Sequence, residues 1–181
     1  TSLYPGQSVT TLCPLDTFDD APLYLEGMAP DAAEIAARVS AYWHPYHQQL
    51  RAELARLRQQ HGIAMLWDAH SIRSALPRFF EGKLPDFNLG TADGASCDSA
   101  LAGTLLGIAQ SIPGHSAVLN GRFKGGHITR HYGDPQGGVD AVQLELAQRT
   151  YMDEESFQYV PEKAEKLQSL LRQLLQAALQ P

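Results

Sequence analysis

Three short segments rich in apolar residues most constrain how this chain can fold. They are "HGIAMLWDAH" at 61–70, "SAVLNG" at 116–121 and "VDAVQLELAQ" at 139–148. Apolar runs of this length, bounded by glycine or polar residues, are typical of buried strands. Helical patterns lie between them, and strands that alternate with helices predict an α/β fold.

Apolar residues at three- and four-residue spacing mark the helices. One pattern runs from Pro30 to Leu57, and Pro45 is expected to kink or divide that helix. Asp98 is the predicted N-cap of a helix over 99–110. An amphipathic helix over 161–179 closes the chain and begins at Pro161.

The bulk composition limits the partners of the chain. Its 181 residues are 44% hydrophobic and 19% charged, which predicts one α/β domain over 1–181. The net charge of −6 argues against nucleic acid and against an anionic membrane, so a small-molecule substrate is expected. The first ten residues lack the pattern of a signal peptide, and the composition leaves the oligomeric state open.

The cysteine content predicts a reducing, cytoplasmic setting. Cys13 and Cys97 are far apart and belong to no C-x-x-C motif, so neither a disulfide framework nor a cysteine-only metal site is expected.

The first candidate site is the polar end of the first predicted strand. Side chains alternate between the two faces of a strand, so Asp68 and His70 share a face. A neutral imidazole is a common metal ligand, and a neighbouring carboxylate can orient it. The alternative is a histidine that caps the strand by hydrogen bonding.

The second candidate is Glu145, which lies between two leucines in the third predicted strand. Burial there would raise its pKa, which suits a general base that later returns the proton. An ion pair with Arg130 or Arg149 is the alternative role.

Several hydrogen-bond donors lie in or near the glycine-rich segment over 121–138. Arginine binds carboxylates with two parallel hydrogen bonds, so Arg73, Arg122 and Arg130 are candidates for substrate carboxylates. Asn120 is a further candidate donor. A solvated basic loop is the alternative.

Four further histidines have weaker support. His127 and His131 are four residues apart, but they are expected to lie in a loop rather than in a metal-binding helix. His44 and His47 are assigned to surface or packing roles, because they lie on the first helix beside aromatic residues.

Four blocks, in this order, resemble the N-formylglutamate amidohydrolase family, also called N-formylglutamate deformylase. They are "LWDAHSIRS", "FEGKLPDFNLGTADGASC", "VLNGRFKGGHITRHYG" and "VQLELAQRTYMDE". The resemblance implies a metal-dependent amidohydrolase acting on a linear amide. The expected reaction cleaves N-formyl-L-glutamate to L-glutamate and formate, the last step of one bacterial route of histidine degradation.

The resemblance also implies a fold and a set of roles. The fold would be a mixed sheet flanked by helices, similar to zinc carboxypeptidases and the phosphorylase/hydrolase-like proteins. His70 would bind Zn²⁺ or another divalent metal, Asp68 would support it, and Glu145 would be the general base. Arg73, Asn120, Arg122 and Arg130 would bind the substrate or the tetrahedral oxyanion.

One departure from the family limits the expected activity. Family members carry an earlier segment with a histidine-glycine motif, and residues 1–30 do not match it. The chain therefore resembles the C-terminal two thirds of the family, with its N-terminal part absent. A catalytic zinc needs about three protein ligands, so we expect an incomplete site, poor metal binding and an inactive chain. Two alternatives are a deacylase for another N-acyl amino acid and a non-catalytic domain that binds dicarboxylates.

Overall fold

A four-stranded mixed sheet forms the centre of the computed structural model, which describes residues 11–180. The strands are β1 (Ala64–Ile72), β2 (Phe87–Gly90), β3 (Ala117–Leu119) and β4 (Val139–Ala147). Their spatial order is β1-β4-β2-β3. β1 runs parallel to β4, β2 runs antiparallel to β4, and β3 runs parallel to β2. The predicted mixed α/β architecture is confirmed.

Four of the five α-helices in the described residues follow the predicted pattern. They are α1 (Ala32–Arg38), α2 (His44–His61), α3 (Ser99–Gln110), α4 (His127–Tyr132) and α5 (Pro161–Ala178). A π-helical turn over Val39–Trp43 separates α1 from α2 immediately before Pro45, so the first helix is divided as expected. Asp98 caps α3, since its Oδ1 accepts hydrogen bonds from the amides of Ala100 and Leu101.

Helices cover both faces of the sheet. On one face, Val142 and Leu144 of β4 pack with Leu105 of α3 and Leu174 of α5. On the other face, Leu54 of α2 and Tyr132 of α4 pack against Ala64 and Val139, near the start of β1 and β4. The second cluster covers only that end of the two strands.

Two elements differ from the expectation. β2 lies inside the segment over 81–98, where no strand was predicted, and all four of its residues are buried. α4 lies inside the segment over 121–138, so the loop assignment of His127 and His131 is wrong. Both elements are short and contain glycine, asparagine or histidine, so local periodicity carries almost no signal for them.

Within residues 11–180, no helix combines the length and the apolar character needed to cross a membrane. The expectation for the first ten residues falls outside the part of the chain that the structure describes.

Candidate active site

The register of β1 and β4 brings the predicted histidine and glutamate side by side. His70 is paired with Glu145, and Asp68 is paired with Gln143. Because neighbouring strands of a sheet keep paired residues on one face, these four side chains form a single polar patch. Farther back on the same face, Ala64 is covered by α2 and α4, so the polar residues begin where that cover ends.

His70 is held by Asp68. His70 Nε2 and Asp68 Oδ1 lie 2.9 Å apart, and the side chain of His70 is 48% exposed. The hydrogen bond to Asp68 raises the pKa of His70, burial opposes the increase, and the negative charges of Asp68 and Glu145 add to it. The contact agrees both with a histidine oriented for ligand binding and with a strand cap.

Glu145 is a buried carboxyl group with an altered proton affinity. The residue is 7% exposed. Burial raises the pKa of Glu145 to about 7, the positive charge of His70 lowers it, and the charge of Asp68 raises it further. A carboxyl group with such a pKa exchanges protons readily near neutral pH.

One alternative partner of Glu145 is bound elsewhere. Arg149 forms its ion pair with Asp86, with Nη2 and Oδ1 2.9 Å apart. Its guanidinium also donates to the carbonyl of Leu84. Arg149 therefore stabilises the segment before β2 rather than the carboxylate of Glu145.

Gln143 and Asn88 are two residues beside Glu145 that the sequence did not single out. Gln143 Nε2 lies 3.4 Å from Glu145 Oε2, and Gln143 Oε1 accepts a hydrogen bond from the Gly126 amide. Asn88 is paired with Glu145 from β2 and donates to its carbonyl. A polar residue in a fully buried strand is the signal that could have found Asn88, but β2 itself was not predicted.

Asn120 organises the turn after β3. Its backbone has φ of 53°, and its Oδ1 accepts a hydrogen bond from the Thr91 amide at 2.8 Å. Its Nδ2 donates to Thr91 Oγ1 at 2.9 Å. An asparagine amide has two N–H groups, so its candidate role as a donor to substrate is compatible with these contacts.

The three candidate arginines lie outside the paired strands. Arg73 follows β1 directly, with Nη1 3.5 Å from Asp19 Oδ2. Arg122 donates from Nε to the carbonyl of Phe79, and Arg130 donates from Nε to the carbonyl of Gly125. His70, Asp68 and Glu145 are thus brought together by strand pairing, whereas the arginines are placed by loops and by α4.

Four further histidines form an aromatic cluster with Trp43: His44, His47, His127 and His131. His47 is buried, its Nδ1 lies 2.7 Å from Tyr132 Oη, and its ring is 5.3 Å from that of His127. The rings of His127 and His131 stack at 4.9 Å. The packing role predicted for His47 agrees with these contacts.

An apolar cavity of about 640 Å³ adjoins this cluster rather than the polar patch. Within the described residues, its walls come from the segment over 12–14, from Tyr24 and from the helical region over 38–47, so none of the predicted site residues lines it.

The described residues do not by themselves make a metal site. Among them, no three His, Cys, Asp or Glu side chains converge in an arrangement that would hold a metal ion. The candidate ligands beside His70 in this patch are the carboxylates of Asp68 and Glu145, and His70 Nε2 is already in contact with Asp68. A catalytic zinc requires about three protein ligands and an open position.

Two bacterial relatives share much of this sequence. N-formylglutamate deformylase from Pseudomonas putida is 57% identical over 178 residues, which are 98% of this chain and 66% of that protein. The Pseudomonas aeruginosa N-formylglutamate deformylase is 56% identical over 173 residues, 95% of this chain and 65% of that protein. The chain therefore spans slightly less than two thirds of the length of these two relatives.

A solved structure agrees with the sequence comparison. The crystal structure of N-formylglutamate amidohydrolase from Ralstonia eutropha JMP134 matches with a TM-score of 0.70 and 26% identity, over 88% of this chain and 58% of that one. The model of the N-formylglutamate amidohydrolase family matches residues 1–152. The chain belongs to the N-formylglutamate amidohydrolase family.

Proposed function

We propose that the full-length product of the gene encoding this chain hydrolyses N-formyl-L-glutamate to L-glutamate and formate. The observation that carries the proposal is the buried Glu145, with a pKa raised to about 7, beside the His70–Asp68 pair. The two relatives named N-formylglutamate deformylase, at 57% and 56% identity, support the choice of substrate.

Glu145 acts as the base and then as the acid in this mechanism. A water oxygen adds to the formyl carbon while Glu145 takes a proton from that water, and the electron pair of the C=O bond moves to the oxygen. The electron pair on that oxygen then re-forms the C=O bond of formate as the C–N bond breaks, and Glu145 returns the proton to the leaving amine nitrogen. A pKa near the working pH favours both transfers.

The substrate carboxylates are assigned to the arginines. N-formyl-L-glutamate carries an α- and a γ-carboxylate, and guanidinium groups bind such groups with paired hydrogen bonds. Arg73, Arg122 and Arg130 are the candidates for these contacts. Asn120 would donate its remaining N–H to the substrate or to the developing oxyanion.

Among the described residues, we propose a metal-binding role for His70, with Zn²⁺ or another divalent metal as its ligand partner. His70 would supply one ligand and Asp68 would orient its ring, as carboxylates do for metal-binding histidines. The described residues do not complete the ligand set. The mechanism above therefore assigns only the movements of protons and the contacts to substrate.

Replacing the base tests the function directly. Glu145→Gln in the full-length protein is expected to reduce formate release from N-formyl-L-glutamate on the order of 10²–10⁴-fold, because the amide cannot accept the proton of water. The matched control is Glu165→Gln on the exposed side of α5, which is expected to keep wild-type turnover. Near-normal turnover of Glu145→Gln would remove Glu145 from the role.

A substrate panel separates the alternative functions. N-formyl, N-acetyl and N-succinyl derivatives of glutamate and aspartate would be compared by kcat/KM. Preference for an acyl group other than formyl would make the protein a different deacylase. Binding of glutamate without turnover of any amide would make it a dicarboxylate-binding domain.

We place the reaction in the cytoplasm. The free thiols of Cys13 and Cys97 support a reducing compartment.

A further inference from the structure

Gln143 occupies the position in β4 that faces the same side as Glu145, two residues earlier in the strand. It is paired with Asp68 in β1 and with Gly90 in β2. The residue is only 5% exposed. A buried amide in the middle of a sheet costs free energy unless its donor and acceptor are both used.

Both ends of the Gln143 amide face groups of the candidate site. Oε1 accepts a hydrogen bond from the Gly126 amide at 2.8 Å. Nε2 donates a hydrogen bond to Glu145 Oε2 at 3.4 Å. One side chain thus connects the carboxylate of the proposed base to the end of the segment over 120–126, which begins at Asn120 and contains Arg122.

The loop lies close enough to the sheet for this connection because β2 ends in glycine. A Cβ on Gly90 would lie 2.5 Å from the Gly125 nitrogen and 2.7 Å from the Lys124 carbonyl carbon. The loop backbone therefore rests directly on β2, beside Gln143. The position of Gly126 is determined by this contact and by the Gln143 acceptor together.

We propose that Gln143 is a positioning residue that holds the Glu145 carboxylate and the segment over 120–126 in a fixed relative arrangement. The inference rests on the proposed hydrolysis and deepens it. Glutamine suits the position because its amide offers an acceptor to Gly126 and a donor to Glu145. Glutamate would keep only the acceptor, and methionine would keep neither.

Two substitutions separate the two contacts in the full-length protein. Gln143→Met should lower kcat on the order of 100-fold, because the base is misplaced. The same variant should raise KM for N-formyl-L-glutamate on the order of 10-fold, because the loop loses its anchor. Gln143→Glu should show the loss in kcat while its KM stays close to the wild-type value.

The matched control is Ser96→Ala. Ser96 is buried, and its Oγ donates to the carbonyl of Ala141 at 2.8 Å, so this change also removes a hydrogen bond to β4. It leaves the contacts of Gln143 in place, and its kcat and KM should match wild type. Hydrogen exchange at the Gly126 amide should be faster in Gln143→Met and unchanged in Gln143→Glu.

Four experimental results would each contradict part of this proposal or of the proposed function. Wild-type kinetics in Gln143→Met would overturn the positioning role, and so would the same kinetic defect in Ser96→Ala. Unchanged exchange at Gly126 in Gln143→Met would overturn the anchoring of the loop. If the wild-type protein releases no formate, the proposed function and the positioning role both fail, whereas the exchange measurement still decides the anchor.

Discussion

Glu145 places a carboxyl group on a buried strand. Its neighbours Leu144 and Leu146 point into the core between the sheet, α3 and α5, so the position of the strand is set by packing. The carboxyl group is then held on the opposite face beside His70, where little water reaches it. Burial raises the pKa of Glu145 because the charged form loses hydration.

The raised pKa of Glu145 predicts how stability changes with pH. The folded pKa of Glu145, about 7, lies above the ordinary value of 4.5. The protonated carboxyl group therefore gives its full contribution to the free energy of unfolding below pH 4.5, and this contribution is lost as the pH rises through 7. Glu145→Gln should therefore raise the free energy of unfolding on the order of 3 kcal/mol at pH 8. Thermal unfolding at pH 5 and pH 8 measures it.

The control for this prediction is Glu165→Gln, whose side chain is exposed on α5. Its effect on the unfolding temperature should be small and equal at the two pH values. An effect of Glu145→Gln that is also equal at pH 5 and pH 8 would contradict the role of burial.

His47 predicts the opposite dependence on pH. Burial lowers the pKa of His47 below 6.5, and the charges of His127, His131, Arg51 and His44 lower it further. Neutral His47 gives its full contribution to the free energy of unfolding above pH 6.5. This contribution is lost as the pH falls through the folded pKa of His47.

His47→Asn should make stability less sensitive to pH below 6.5. The asparagine can still bond to Tyr132, but it does not take up a proton. Urea unfolding between pH 5 and 7.5 measures the difference, with the exposed His61→Gln as control. An unchanged pH profile in His47→Asn would show that another group is responsible.

At the scale of elements, β2 and the loop over 120–126 depend on each other. β2 is short, and it lies between β4 and β3 with all four residues buried. Gly90 at its end allows the backbone of Lys124 and Gly125 to approach, and Ala92 donates to the carbonyl of Lys124 at 2.6 Å. The loop is therefore shaped by its contact with the sheet.

Gly90→Ala should displace this loop. The added Cβ would meet backbone atoms rather than a movable side chain, so a loss of stability of about 1–3 kcal/mol is expected, together with a higher KM. Chemical unfolding and formate release measure the two effects.

Gly103→Ala is the control for Gly90→Ala. A Cβ there meets nothing within 4 Å, and the residue lies in α3. Alanine is expected to stabilise that helix by about 0.5–1 kcal/mol. If Gly90→Ala were as stable and as active as Gly103→Ala, the close approach would have no functional consequence.

At the scale of the whole molecule, β1 lies at one edge of the sheet formed by residues 11–180. β1 is the outer strand beside β4, and His70 near its end is exposed. The described residues offer this histidine and two carboxylates, but no set of three ligands in position. The chain spans 66% of the Pseudomonas putida relative, so that protein has further residues with no counterpart in this match.

The 181-residue chain is therefore expected to bind zinc weakly. One histidine with neighbouring carboxylates does not supply the about three ligands that a catalytic zinc needs. Elemental analysis after dialysis should give well below one zinc per chain, and His70→Ala should abolish the residual uptake. A full equivalent of zinc that survives dialysis, and that His70→Ala does not reduce, would contradict the assignment of His70.

Several elements were predictable from local pattern alone. The strands β1, β3 and β4, the cap at Asp98 and the helix α5 depend on residues within a few positions of each other, and the structure contains all of them. The polar end of β1 and the leucines on either side of Glu145 were also visible in the sequence. These elements give a strong sequence signal because apolar residues repeat with a regular period within each of them.

The relations between distant residues were decided by the tertiary structure. The pairing of His70 with Glu145 joins residues on separate strands, and the Gln143–Gly126 hydrogen bond joins a strand to a loop. β2 and α4 form where long-range packing outweighs weak local preference. Local order thus specifies which face a side chain takes, whereas strand order and close packing determine its neighbours, its burial and its pKa.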